Sequence, residues 1–224
     1  MFDAIAWRYD FLNHFLSFGI DRYWRYKAVR IISRTHMNPE RILDLATGTG
    51  DLAIAAMKLN PGYITGIDIS RRMLEAGREK VKRRSLTDKI ELVEGDSEKI
   101  GFGDKTFNVA MVSFGVRNFS DPLKGLTEMY RVLVPGGLVM VLEFSKPSGF
   151  IFTHLYNFYF LTILPYIGKI FSKNSSAYTY LPESVMQFPY NEQFKNLLMQ
   201  AGFISISQKK LTGGIASIYT GLKS

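Results

Sequence analysis

Two features of the chain combine residue types and spacing that could hold a nucleoside. The first is a loop of small residues, Ala46, Gly48 and Gly50, with Thr49 inside it and Asp51 behind it. Glycines there let backbone N–H groups approach a ligand closely, and a helix starting beyond the loop adds a partial positive charge. The second is Asp68, which lies about 20 residues past the loop, where a nucleotide-binding βαβ unit carries the acid that accepts ribose hydroxyls. The glycines alone would equally suit an ordinary tight βα turn. Asp68 is what lifts the loop above that reading.

The ligand can be narrowed further. A dinucleotide fingerprint has a third glycine at the start of its first helix, and here that region is Asp51-Leu52-Ala53. The loop therefore suits a ligand with a ribose and no pyrophosphate, such as S-adenosylmethionine.

Elements able to position these residues follow from the apolar pattern. Short apolar runs at 41–46, 63–67, 90–94, 107–113 and 138–144 read as strands. Helical spacing at 50–59, 71–84 and 121–133 falls between them. Ser70 is placed as an N-cap, Asp121-Pro122 as a helix start and Pro135-Gly136-Gly137 as a helix stop. Alternating strands and helices, with the strands apolar throughout, predict a parallel sheet buried on both faces. Ligands of such sheets sit at the carboxyl ends of the strands, near the switch point. Residues 44–50, Asp68, Asp96-Ser97, 113–118 and 143–147 all fall at such ends.

Composition bounds the rest. A chain of 224 residues, 46% apolar and 14% aromatic, is long enough for one sizeable core. With no cysteine, disulfides, thiolate metal sites and a cysteine nucleophile are all excluded. The net charge of +8 admits nucleic acid or an anionic membrane face as a partner. Its basic residues are mostly dispersed, and the cluster at 80–84 reads as a solvated helix face. RNA enzymes usually present a basic face with exposed aromatics, whereas the aromatics here sit in apolar helical stretches, so no nucleic-acid partner is expected.

Residues 1–34 carry aromatics at helical spacing, interrupted at Gly19, and predict a helical cap of two helices over residues 1–40. The chain opens abruptly at this pattern, which reads as a short leader absent upstream. The cofactor-binding core is expected at 41–147. Residues 150–168 carry no formal charge, near transmembrane length. Three readings stay open for 150–171: a spanning helix, a buried core helix, or a lid over a large apolar substrate within an insertion at 148–189. A helix at 190–201 and strands at 203–211 and 216–221 close the domain.

Several stretches together carry a family resemblance: MFDAIAWRYDFLNHFLSFGIDRYWR, DLATGTGDLAI, GDSEKI, SFGVRNFSD, MYRVLVPGG, LEFSKP and YLPESV. The chain closely resembles the ubiquinone/menaquinone biosynthesis C-methyltransferases over essentially its whole length. The glycine loop is shared with every class I methyltransferase; FGVRN, LEFSKP and the aromatic opening are more specific. One departure is Ser97, where the family carries alanine.

The resemblance implies a class I S-adenosylmethionine-dependent fold: a Rossmann-like, seven-stranded, mostly parallel sheet with a helical cap and a lid. It implies cofactor contacts at Gly48, Thr49, Gly50, Asp68, Asp96, Ser97 and Ser113. Asp68 would accept the ribose hydroxyls and Asp96 the adenine amino group, with the Ser97 N–H facing the ring and Thr49 the methionine end. The implied reaction moves a methyl group to a ring carbon of a polyprenyl quinol, demethylmenaquinol being preferred over the ubiquinone-pathway quinol, with a small-molecule O- or N-methyltransferase as the alternative reading. Arg117 is the expected oxyanion stabiliser and Asn118 a positioning donor. Tyr9, His14 and Glu143 are candidate proton acceptors, and no metal is needed. A cytoplasmic enzyme, touching the inner face of the anionic membrane weakly and with a homodimer left open, completes the expectation.

Overall fold

The structure is a computed structural model that describes residues 19–36, 38–147 and 184–224. Its described elements run α1 (Ile20–Thr35), β1 (Arg41–Leu45), α2 (Asp51–Ala56), β2 (Tyr63–Asp68), α3 (Arg71–Arg83), β3 (Ile90–Glu94), β4 (Phe107–Ser113), α4 (Pro122–Val132), β5 (Leu133–Phe144), α5 (Glu192–Gln200), β6 (Ile204–Leu211) and β7 (Ala216–Leu222). The first cap helix expected before Gly19 and the stretch 150–171 lie outside the described residues. Among the described residues no helix is long and apolar enough to cross a membrane.

Seven strands form one sheet in the order β3-β2-β1-β4-β5-β7-β6. The β1 pairings with β2 and β4, and those of β2 with β3 and β4 with β5, are parallel; β7 is antiparallel to β5 and β6. The expected seven-stranded, mostly parallel sheet is therefore present. Chain direction across the sheet reverses between β1 and β4, so the crevice beyond their carboxyl ends is the switch point.

The alternation inside β1 shows why the sheet needs two helical layers. Ile42 packs with Trp24, Ile32, Leu52 and Leu74 from α1, α2 and α3. Its neighbours Leu43 and Leu45 pack on the other face with Leu126, Met129, Phe194 and Leu198 from α4 and α5. Successive strand residues point to opposite faces, so apolar residues at every position require cover on both.

Helix starts follow their caps. Ser70 Oγ accepts from the Met73 N–H, and Asp121 accepts from the Lys124 N–H with Pro122 in the first turn. One boundary differs from expectation. Residues 135–137 do not end a helix; they lie inside β5, which begins at Leu133 opposite Phe107. Gly136, at φ 75°, takes the left-handed conformation, and the register with β4 shifts there. Backbone bonds compensate: the Gly136 N–H donates to the Lys223 carbonyl, and the Lys223 N–H to that of Gly137.

Candidate active site

The glycine loop is held from beneath by Asp44. This carboxylate is 1% exposed. Its Oδ2 accepts from Thr47 Oγ1 at 2.7 Å and from the Ala53 N–H at 3.0 Å, which staples loop to helix. Oδ1 is buried with no hydrogen-bond partner. Burial is the main cause that pushes the Asp44 pKa up to about 7, opposed by those two hydrogen bonds; nearby Asp68 raises it further and Arg25 opposes.

Above Asp44, Gly48 sits at φ 56°, and a Cβ there would meet nothing within 4 Å. Glycine is thus demanded by backbone conformation, and the side it leaves open faces the crevice. Asp68 ties this loop to the next strand. Its Oδ2 accepts from the Gly48 N–H at 2.7 Å and its Oδ1 from the Ser70 N–H at 2.9 Å. Helix α3 presses on the loop from the side: a Cβ on Gly77 would lie 3.0 Å from the Thr49 carbonyl carbon. Loop, acid and helix therefore form one rigid unit.

A cavity opens beside this unit. Of the expected residues, Gly48, Thr49, Asp68, Asp96, Ser97, Ser113 and Asn118 all line it. Asp96 is fixed in its turn by accepting from the Glu98 N–H at 2.8 Å. Ile69, Met73 and Phe119 supply an apolar wall. Gly50 is not part of the lining; at φ 79° it starts α2.

Arg117 does not line the cavity. Its Nη1 donates to Glu143 Oε1 at 2.6 Å and to the Phe114 carbonyl at 2.7 Å. Its guanidinium lies 5.2 Å from the centre of the Phe144 ring. The two side chains of the ion pair are 7% and 0% exposed. Arg117 Nε is buried without a hydrogen-bond partner. Glu143 accepts also from the Phe144 N–H at 2.9 Å. Tyr9 and His14 lie outside the described residues.

Three residues in the site escaped the sequence reading. Arg25 of α1 reaches the cavity wall and donates to Asp21 Oδ2 at 2.8 and 2.7 Å and to Asp51 Oδ2 at 3.1 Å. Lys80 of α3 donates to Asp51 Oδ1 at 2.7 Å and to Thr49 Oγ1 at 2.9 Å. Asp51, also at the wall, joins the two cations. The reading of 80–84 as a solvated face therefore fails at Lys80, whose side chain is 16% exposed. A signal existed for Arg25, since Asp21 stands four residues before it on one helix face.

The sequence profile of the ubiE/COQ5 methyltransferase family matches residues 1–223. The chain belongs to this family. It is 52% identical over 225 residues to the ubiquinone/menaquinone biosynthesis C-methyltransferase UbiE of Geotalea daltonii, covering 100% of this chain and 94% of that protein. It is 45% identical over 224 residues to the demethylmenaquinone methyltransferase of Bacteroides fragilis, covering 100% of this chain and 91% of that one. Among solved structures, a putative S-adenosyl-L-methionine-dependent methyltransferase from Methanococcus maripaludis superposes with a TM-score of 0.70 at 22% identity, over 99% of this chain and 93% of that one. That likeness is one of fold.

This ubiE/COQ5 member is thus an S-adenosylmethionine-dependent methyltransferase. The cavity fits that cofactor by its donor and acceptor set: an acid at the end of β2, another acid past β3, an apolar wall between them and an open glycine backbone. Among the described residues, no cluster of three or more His, Asp or Glu side chains is arranged to hold a metal ion.

Proposed function

We propose that this enzyme methylates a ring carbon of a polyprenyl quinol, with demethylmenaquinol as its substrate. The observation that carries this reading is full-length identity of 45% to a protein named for that reaction. A second substrate, the ubiquinone-pathway benzoquinol, is favoured by one observation: the Geotalea daltonii relative is named for both pathways. Membrane extracts containing each quinol, incubated with enzyme and methyl-labelled S-adenosylmethionine, decide between them. Label should enter menaquinone; label only in the benzoquinol series would reverse the choice, and label in neither would refute ring methylation.

The place of each residue supports its proposed role. Asp68 accepts the two ribose hydroxyls, held at the right angle by Gly48 and Ser70. Asp96 accepts the adenine amino group, with the Ser97 N–H toward the ring between Ile69 and Phe119. Thr49 and the loop backbone, Gly48 to Gly50, surround the methionine end, and Ser113 leaves room at the end of β4. The bound cofactor supplies an electrophilic methyl group on its sulfonium.

A quinol ring carbon attacks well only when its hydroxyl is ionised, and a phenolic pKa near 10 makes that cost about 4 kcal/mol at neutral pH. Asn118 at the cavity wall positions the quinol oxygen. Arg117, which does not line the cavity, stabilises the developing anion from behind by its charge. Glu143 is committed to Arg117 and the Phe144 N–H, so the proton passes to water, His14 or Tyr9. In-line placement of donor and acceptor supplies the remaining acceleration.

The long apolar tail of such a quinol resides in a bilayer, so the enzyme must meet it there. A peripheral, salt-sensitive contact with anionic lipid at the inner membrane face is supported by the net charge of +8. It is also supported by α1, where exposed Tyr23 and Tyr26 each lie under a lysine, Lys27 and Lys58, both 5.1 Å from the ring centre. The insertion at 148–189 is proposed as the tail's lid. Light scattering in solution tests for a homodimer.

A further inference from the structure

We infer that Arg25, carried into the site by α1, is the positioning residue that binds the α-carboxylate of the cofactor's methionine moiety. The inference rests on S-adenosylmethionine dependence and on the cofactor orientation set by Asp68 and Asp96. With adenine beside Asp96 and ribose on Asp68, the 5′ substituent leaves along the glycine loop that Asp68 holds at Gly48. The wall there carries Thr49 and, joined to it through Lys80, Asp51 and Arg25. The 5′ substituent of S-adenosylmethionine ends in an amino acid, so it brings a carboxylate to this wall.

Arg25 is the one cation among the described residues lining the cavity. It is 7% exposed and is already oriented by Asp21 on its own helix and by Asp51 across the gap. An arginine carries five N–H donors, and three bonds go to these two acids. The planar donor set is therefore fixed in direction before any ligand arrives, which reduces the ordering cost on binding. A charged carboxylate–guanidinium bond is also about twice as strong as a neutral one.

Electrostatic balance supports the same assignment. Among the described residues, Arg25 and Lys80 face Asp21 and Asp51, two cations against two acids in one bonded chain. A zwitterionic amino acid adds one charge of each sign, so the cluster stays balanced when the ligand enters. Without Arg25, a carboxylate docking beside Asp51 would keep only Lys80 of the two cations.

The test compares three ligands by calorimetry on the full-length protein. S-adenosylmethionine has the carboxylate and the ammonium; its decarboxylated analogue keeps the ammonium alone; 5′-methylthioadenosine has neither. Arg25→Gln should weaken S-adenosylmethionine binding by about 10-fold or more, the range for a hydrogen bond to a charged group. Binding of the other two should change less than about twofold, and Arg25→Lys should recover part of the loss for the first. Asp21→Asn/Arg25→Gln, which removes the buried acid's charge together with its partner, carries the same comparison if the single variant does not fold. Equal weakening of all three ligands would overturn the assignment, because it would mean that Arg25 only holds α1 in place. Unchanged binding of S-adenosylmethionine would overturn it too. A wild-type protein that binds none of the three would instead refute the cofactor reading beneath it.

Discussion

The buried pair of Arg117 and Glu143 offers a way to separate holding from catalysing. Glu143 is 0% exposed and its partner 7%. Arg117→Leu would leave a carboxylate with no counter-charge in the interior, and breaking a buried pair in this way costs about 3–5 kcal/mol. For a chain of this length each kcal/mol lowers Tm by about 2–4 °C, so the expected loss is about 6–20 °C. Removing both charges together, as Arg117→Met/Glu143→Gln, is often nearly neutral; most of that Tm should return. Turnover should not return. Losing a positive charge that stabilises the developing anion costs up to about 100- to 1,000-fold in kcat, and the double variant still lacks it. The assays are thermal unfolding, turnover at saturating quinol and calorimetric affinity for S-adenosylmethionine, the last expected to be nearly unchanged because Arg117 does not line the cavity. Restored turnover along with restored Tm in the double variant would show that Arg117 only neutralises Glu143. An unaltered Tm in Arg117→Leu would refute the burial argument itself.

Other expectations follow from the same geometry. Asp68→Ala removes the ribose acceptor and the anchor of the Gly48 N–H together, so cofactor affinity should fall more than about tenfold; a folded variant with unchanged calorimetric affinity would refute the cofactor placement. Asp44 has a folded pKa pushed up to about 7 from 3.8, so the folded state keeps its proton where the unfolded chain has lost it. Its contribution is fully present below about pH 4 and is lost as pH rises to about 7, with a slope of at most about 1.4 kcal/mol per pH unit; denaturant titrations should show this slope in the wild type and its absence in Asp44→Asn. Purified protein should sediment with anionic vesicles at low salt and leave them at high salt. Resistance to salt and carbonate extraction would refute a peripheral contact.

What was legible beforehand depended on which physical signal each feature leaves in the chain. The strands were readable because a parallel sheet covered on both faces demands apolar residues at every position, as Ile42, Leu43 and Leu45 show. Strand β5 was entered late because Pro135-Gly136-Gly137 carries the composition of a turn, and pairing with distant residues, Phe107 and those near Lys223, makes it strand. Lys80 was misplaced for a related reason. Its local surroundings are a basic helix face, while the acid that binds it lies 29 residues earlier.

Asp68, Asp96 and Ser113 reached the cavity as expected because a residue at a strand's carboxyl end is already at the switch-point crevice. For those residues, position along the chain suffices. It does not suffice for Arg117 and Asn118, which are neighbours on the 3₁₀ turn Val116–Asn118. Three residues per turn put consecutive side chains about 120° apart. One of the two can face the cavity only if the other turns elsewhere. Asn118 lines the cavity, and Arg117 goes to Glu143, an acid 26 residues away on β5. With no acid at that end of β5 the guanidinium would have no counter-charge to draw it inward. The pair thus decides which donor the substrate meets directly: an amide at the wall, with a cation held behind it by a partner that the local motif does not contain.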